Sequence, residues 1–199
     1  MRQHFWGFLK QHLQLLGEFT ALYPHILLEI ELTDRLVDIV GGQADVAIRF
    51  GPLADSTLTA RKLGETRRVI VASPGYLAQH GIPRQPEDLL GYNCLNFNFR
   101  RVEPVWPFRR NGTEFALSVT GNVEANNGET LGQLAMAGLG IARVGHFSVA
   151  QDIAEGRLTP ILEDFNPGDV EQIHAVFVGG PGIPARLRAF VDFLAERLR

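Results

Sequence analysis

Between Tyr23 and Gly51 the spacing of apolar residues changes period twice. Ile26, Leu28, Ile30 and Leu32 fall on one face of an extended run, with Glu29 and Glu31 on the other, which predicts a strand. Thr33 or Asp34 can cap a helix whose apolar positions are Leu36, Val37, Ile39 and Val40, and Gly41-Gly42 stops it. Ala44 to Phe50 is apolar at nearly every position, the mark of a strand buried on both faces of a parallel sheet. Two such strands joined by a crossover helix make a βαβ unit, and ligands of these sheets gather beyond the carboxyl ends of the strands. The last strand ends there in Arg49-Phe50-Gly51.

The rest of the chain continues the alternation. Phe8 to Leu22 has the spacing of an amphipathic helix ended by Pro24. Leu58–Leu63 and Arg67–Ala72 read as two strands separated by Gly64. Ser73-Pro74 is an N-cap followed by proline at the first helical position, and Gly81 closes that helix. Pro86 to Leu90 gives a helical turn, and Cys94–Phe99 a strand. Val105–Arg109 and Glu114–Val123 flank Asn111-Gly112, a dipeptide suited to a two-residue hairpin turn. Asn126 or Asn127 caps a helix running to about Ala137, Gly140–Val144 is a strand, and Phe147–Glu155 a helix. Ile173–Val178 is the final strand and Pro184–Arg199 the final helix. Two βα-rich halves result, and neither repeats the other.

Composition narrows the function. The formal net charge of -3 provides no general attraction to nucleic acid or anionic membrane. The basic residues come as scattered pairs (Arg61-Lys62, Arg67-Arg68, Arg100-Arg101, Arg109-Arg110) and read as solvated strand ends and hairpins. One cysteine, Cys94, excludes an internal disulfide and a cysteine zinc cluster, and its apolar surroundings make it a small core residue. The amino terminus lacks the layout of a signal peptide, and no stretch is long enough to span a bilayer, so the cytoplasm is the expected compartment.

Two segments stand out as binding chemistry. Asn126-Asn127-Gly128-Glu129-Thr130 opens a helix, where unpaired N–H groups attract anions. The same atoms also serve plain capping, with Asn127 as cap and Thr130 as an ordinary first-turn residue. Arg49, ahead of Phe50 and Gly51, either offers a guanidinium to a ligand carboxylate in two-point geometry or forms a structural ion pair with Asp45 or Asp55. Phe97-Asn98 and Gly145-His146 end strands in the second half and are candidates for the opposite wall; for His146 the bland alternative is a polar residue near a helix start. Catalysis finds no support. Gly-x-Ser-x-Gly and Gly-Lys-Ser/Thr motifs are missing, Gly138-Leu-Gly140 lacks the third glycine of a dinucleotide fingerprint, and the six histidines form no His-x-x-x-His pair. The chain is read as a non-enzyme without cofactor or metal.

Three stretches, YPHILLEIELTDRLVDIVGGQADVAIRFG, SPGYLAQHGIPRQPEDL and EANNGETLGQLAMAGLGIA, resemble the effector-binding domain of LysR-type transcriptional regulators, and the resemblance covers roughly residues 8 to 199. It implies an α/β, two-lobed type II periplasmic-binding-protein-like fold, each lobe a mixed, mostly parallel sheet flanked by helices. The expected division is 1–72 for the first part of lobe I, 73–172 for lobe II and 173–199 for the return to lobe I, with hinge residues Ala72, Ser73 and Ala175. The resemblance also implies a small effector in a cleft between the lobes, faced by the helix start at Asn126, Asn127, Gly128 and Thr130; the strand ends add Arg49, Phe50, Gly51, Phe97, Asn98, Gly145 and His146 as candidate contacts of a small anionic organic effector. Two departures affect that expectation. Val144-Gly145 stands where the family usually has Leu-Pro, and Met1 to Gly7 does not read as the family's first lobe I strand, which is therefore expected to be missing.

The resemblance further implies a homodimer or tetramer, with the Phe8–Leu22 helix and the Leu131, Leu134 and Ala135 stripe facing a partner subunit, although that stripe also suits a core. DNA would be read by a helix-turn-helix domain that this chain does not contain, so specific DNA binding by the chain alone is not expected. The alternative on the same fold is the solute-binding protein of a transporter, against which the missing signal peptide argues.

Overall fold

In the computed structural model of the chain, residues 15–31, 38–51, 53, 57–98 and 105–198 are described. The elements in order are a helix α1 (15–22), β1 (Val46–Phe50), β2 (Thr59–Ala72), α2 (Pro74–His80), β3 (Cys94–Phe97), β4 (Val105–Arg110), β5 (Thr113–Ser118) and β6 (Glu124–Ala125). There follow α3 (Gly128–Met136), β7 (Ile141–Gly145), α4 (Ala150–Ala154), β8 (Thr159–Ile161), β9 (Val170–Phe177) and α5 (Ala185–Arg197), with short 3-10 turns between some of them. The chain divides into two units: Met1–Thr66 with Glu171–Arg199, and Arg67–Val170. Ala72 and Ser73 lie within the second unit and Ala175 within the first. The divisions thus fall before the positions expected from the sequence.

In the first unit β1 runs antiparallel to β9, with Ile48 opposite Ala175 and Arg49 opposite His174. Ile48, Phe50, Ile173, Ala175 and Phe177 are buried on the face these registers share. Phe19 of α1 is fully buried, its ring centroid 5.0 Å from Phe190 and 5.3 Å from Phe193 of α5. Leu187, Val191 and Leu194 repeat at helical spacing and supply the buried stripe of α5.

Two expectations for this unit change. Residues 24–31 carry no strand, so the alternating Ile26–Leu32 run does not join a sheet over its described part. An alternating pattern specifies a strand only when a neighbour takes up its hydrogen bonds; the strand that β1 does pair with is β9, antiparallel. Of the helix expected after Asp34, residues 35–37 lie outside the described set, as do residues 8–14 of the first helix; residues 39–42 form a turn. The second change concerns Leu58–Leu63 and Arg67–Ala72, which are one continuous strand, β2. Gly64 does not break it. A Cβ there would stand 2.7 Å from the Leu198 carbonyl oxygen, so the glycine admits a close backbone approach at the end of α5.

In the second unit β2 lies between β7 and β8, antiparallel to both, and β7, β3 and β6 are mutually parallel neighbours in that order. Alternation along these strands builds two cores. Val69, Val71, Leu95, Ala142 and Val144 pack with Leu131 and Ala135 of α3; Ile70, Ala72, Cys94 and Ile141 pack with Tyr76, Leu89, Trp106 and Phe108. Leu131 and Ala135 are therefore core residues rather than a face offered to a partner, and Leu134 packs beside them. Local chemistry behaves as expected. The Ser73 hydroxyl caps α2, accepting from the Tyr76 N–H at 3.3 Å. Asn111 and Gly112, with φ of 51° and 79°, make the left-handed pair of the β4–β5 hairpin.

Burial also fixes the state of the thiol. Cys94 is fully buried, its Sγ donates to the Leu89 carbonyl at 3.7 Å, and desolvation pushes its pKa up from 9.0 to about 12. The folded pKa lies above the unfolded one. Its contribution to stability is therefore fully present below pH 9 and is lost as pH rises towards 12. The native thiol should resist a maleimide at pH 8 and react at once in urea; rapid native labelling would place Cys94 outside the core.

Candidate functional site

Three parallel strands of the second unit end at one edge. β3 closes at Phe97 with Asn98 beyond it, β6 at Ala125 with Asn126 beyond it, and β7 at Gly145 with His146 beyond it. The registers pair Phe97 with Ala125, and the Asn98 N–H donates to the Ala125 carbonyl at 3.0 Å. Phe97, Asn98, Asn126 and His146 are all accessible in part there. The carboxyl edge of such a sheet collects ligands because the strands stop there while the following segments diverge.

Helix α3 begins at the same edge. The Asn127 side chain accepts from the Thr130 N–H at 2.8 Å, so Asn127 is the cap, and its own amide donates to Asn126 Oδ1 at 3.0 Å. Capping is thus realised, and it orients the helix start that carries Gly128 and Thr130 towards this edge. Gly128 is buried, while the Thr130 residue is exposed. At the end of β7 the Ser148 hydroxyl donates to the Gly145 carbonyl at 2.8 Å and tightens the turn holding His146. Burial holds the His146 pKa below the ordinary histidine value; the Arg67 charge adds to this and Glu163 partly opposes it.

One residue at this edge escaped the sequence reading. Arg68, on β2, lies opposite Gly145 in the antiparallel register and places its guanidinium 5.7 Å from the Phe97 ring centroid, a cation–π distance. Arg67-Arg68 looked like an ordinary solvated pair. Only the register of β2 against β7 separates the two, since Arg67 pairs with Glu163 at 2.7 Å.

The remaining candidates lie in the first unit. Arg49 is half-buried near the end of β1, and burial lowers its pKa. Asp45 pairs with Arg186 at 3.3 Å instead, and Asp55 lies outside the described residues. Phe50 is only 4% exposed and belongs to the core of this unit. Gly51 adopts a φ of 78° and its N–H donates to the Gln172 carbonyl at 2.9 Å. Among the described residues no cluster of His, Cys, Asp and Glu could hold a metal ion, and no helix is long and apolar enough to cross a membrane.

The profile of the LysR substrate binding domain matches residues 8–199. The chain belongs to that family. It is similar to the HTH-type transcriptional regulator CrgA of Neisseria meningitidis serogroup C, at 36% identity over 185 residues, covering 92% of this chain and 61% of the relative. It is also similar to DmlR of Escherichia coli, at 37% identity over 177 residues, covering 87% of this chain and 56% of the relative. The solved regulatory domain of CrgA superposes with a TM-score of 0.86 at 34% identity, covering 96% of this chain and 94% of that one. The regulatory domain of AphB from Vibrio vulnificus gives a TM-score of 0.74 at 27% identity, covering 95% and 94%. The fold is that of LysR regulatory domains, the type II periplasmic-binding-like class. The chain spans less than two thirds of the length of these two curated relatives, and it matches the regulatory domain of CrgA over nearly its whole length.

Proposed function

We propose that this substrate-binding domain senses a small anionic organic effector, and that in the whole regulator effector binding alters DNA recognition by a separate domain. The observation that carries the reading is the gathering of Phe97, Asn98, Asn126, the α3 start, His146 and Arg68 at one strand edge. A helix start and a guanidinium beside an aromatic ring favour a carboxylate lying against an apolar body. None of these groups forms a nucleophile–base arrangement, which supports binding without catalysis. The relatives are named as transcriptional regulators, which favours sensing in the cytoplasm over service to a transporter. Association as a homodimer or tetramer belongs to the same proposal, and sedimentation velocity of the titrated samples reads it.

Calorimetric titration with aromatic and aliphatic carboxylates, their amides and matched amines tests the charge preference. Carboxylates should bind, and Arg68→Gln should weaken the best of them about tenfold, ~1.4 kcal/mol. Preference for amines or for uncharged amides would overturn the reading.

A further inference from the structure

The first unit brings together two polar side chains, far apart in the sequence, that have no partner among the described residues. Arg49 of β1 and His174 of β9 are directly opposite in the antiparallel register, so their side chains emerge on the same face as near neighbours. The Gly51 N–H to Gln172 carbonyl bond sets the alternation of the ladder and makes Arg49–His174 a hydrogen-bonded pair, with Cα atoms about 5.5 Å apart. Ile48, Phe50, Ile173 and Ala175 turn to the other face and form core. Glu171 shares that other face by strand parity, and neither β1 nor β9 places a carboxylate on the face of Arg49 and His174.

Arg49 is half-buried and has no hydrogen-bond or ion-pair partner among the described residues. His174 Nδ1 is buried without a partner. An orphaned acceptor is less costly than an orphaned N–H donor, so the bare nitrogen of the neutral ring belongs at Nδ1 and the proton at Nε2. Burial and the nearby Lys62 charge both favour this neutral form. The outward nitrogen is then a donor beside a guanidinium. Lys62, held by Glu65 at 2.6 Å, adds positive potential from β2.

We propose that Arg49 and His174 form a carboxylate-binding seat on this sheet face, in which the guanidinium takes one oxygen and His174 Nε2–H the other. This names a second determinant of effector choice and rests on the reading of the domain as a carboxylate sensor. A seat with one charged and one neutral donor favours a monoanionic head group over a dianionic phosphate.

The test is NMR of the 15N-histidine-labelled chain titrated with sodium benzoate, sodium succinate and inorganic phosphate. His174 should show the Nε2–H tautomer pattern and shift saturably with a carboxylate. Arg49→Gln and His174→Phe should each weaken that binding at least about tenfold. His174→Gln, which restores a donor near the Nε2 position, should stay within about threefold of the parent. Saturable carboxylate binding with the same affinity in Arg49→Gln and His174→Phe would overturn the seat and leave the sensing reading intact. Tighter binding of phosphate at His174 would overturn the monoanion preference. No saturable carboxylate binding anywhere, by NMR or calorimetry, would overturn both readings.

Discussion

Phe108→Ala is expected to destabilise the second unit by about 4 kcal/mol. The ring is fully buried in β4, stacks on Phe115 at 5.8 Å between centroids, and belongs to the same core as Leu89, Cys94, Val119 and Ile161. Among the described residues the β4–β5 hairpin pairs with no other strand, so its attachment there depends on side chains rather than on ladder bonds. Trp106 is its other anchor, with Nε1 donating to Asn96 Oδ1 at 3.2 Å. Removing the Phe108 ring opens a cavity that this two-stranded ribbon closes only by shifting Trp106 off that bond. Urea unfolding should show the midpoint fall with little change in slope. Phe108→Leu should cost about 1.5 kcal/mol, because most of the volume is retained. A loss below about 1 kcal/mol for Phe108→Ala would show that the hairpin is not part of the core.

The second unit was legible because its sequence is punctuated where its chain turns. Ser73-Pro74, Asn111-Gly112 and Asn127 each do the local job their chemistry predicts. Phe97, Asn98 and His146 were named as strand ends and Asn126 as part of a helix start; the short β6 that brings Asn126 to the same edge was not expected. What sequence could not supply was register. Arg68 and His174 matter through residues far away in the chain, and a strand pattern fixes faces but not partners. Gly64 misled because glycine marks both a break and a close approach, and only the position of Leu198 decides between them. β8, three residues with a central proline, was too short to carry a period.

Gly140→Ala should cost about 3 kcal/mol, the upper end of ordinary overpacking. The two glycines of Gly138-Leu139-Gly140, an incomplete dinucleotide fingerprint in the sequence, do different work. Gly138, at φ 83°, ends α3, and the next N–H, that of Leu139, returns to the Leu134 carbonyl at 3.1 Å. Gly140 is needed for space. A Cβ there would stand 2.3 Å from the Asn93 carbonyl oxygen and 3.1 Å from Leu95 Cδ2. The Asn93 oxygen cannot easily retreat, since it accepts the Ile141 N–H at 2.9 Å at the start of the β7–β3 pairing. The methyl group must therefore separate two central parallel strands or break that bond, and the displacement reaches both cores. Gly75→Ala is the control: nothing lies within 4 Å of the place its methyl group would take, and in the first turn of α2 alanine should gain up to about 1 kcal/mol. Thermal unfolding of the two variants should move in opposite directions. A Gly140→Ala chain as stable as the parent would mean that β7 and β3 tolerate a wider spacing, and the strand edge that gathers Phe97 and His146 would lose its rigid base.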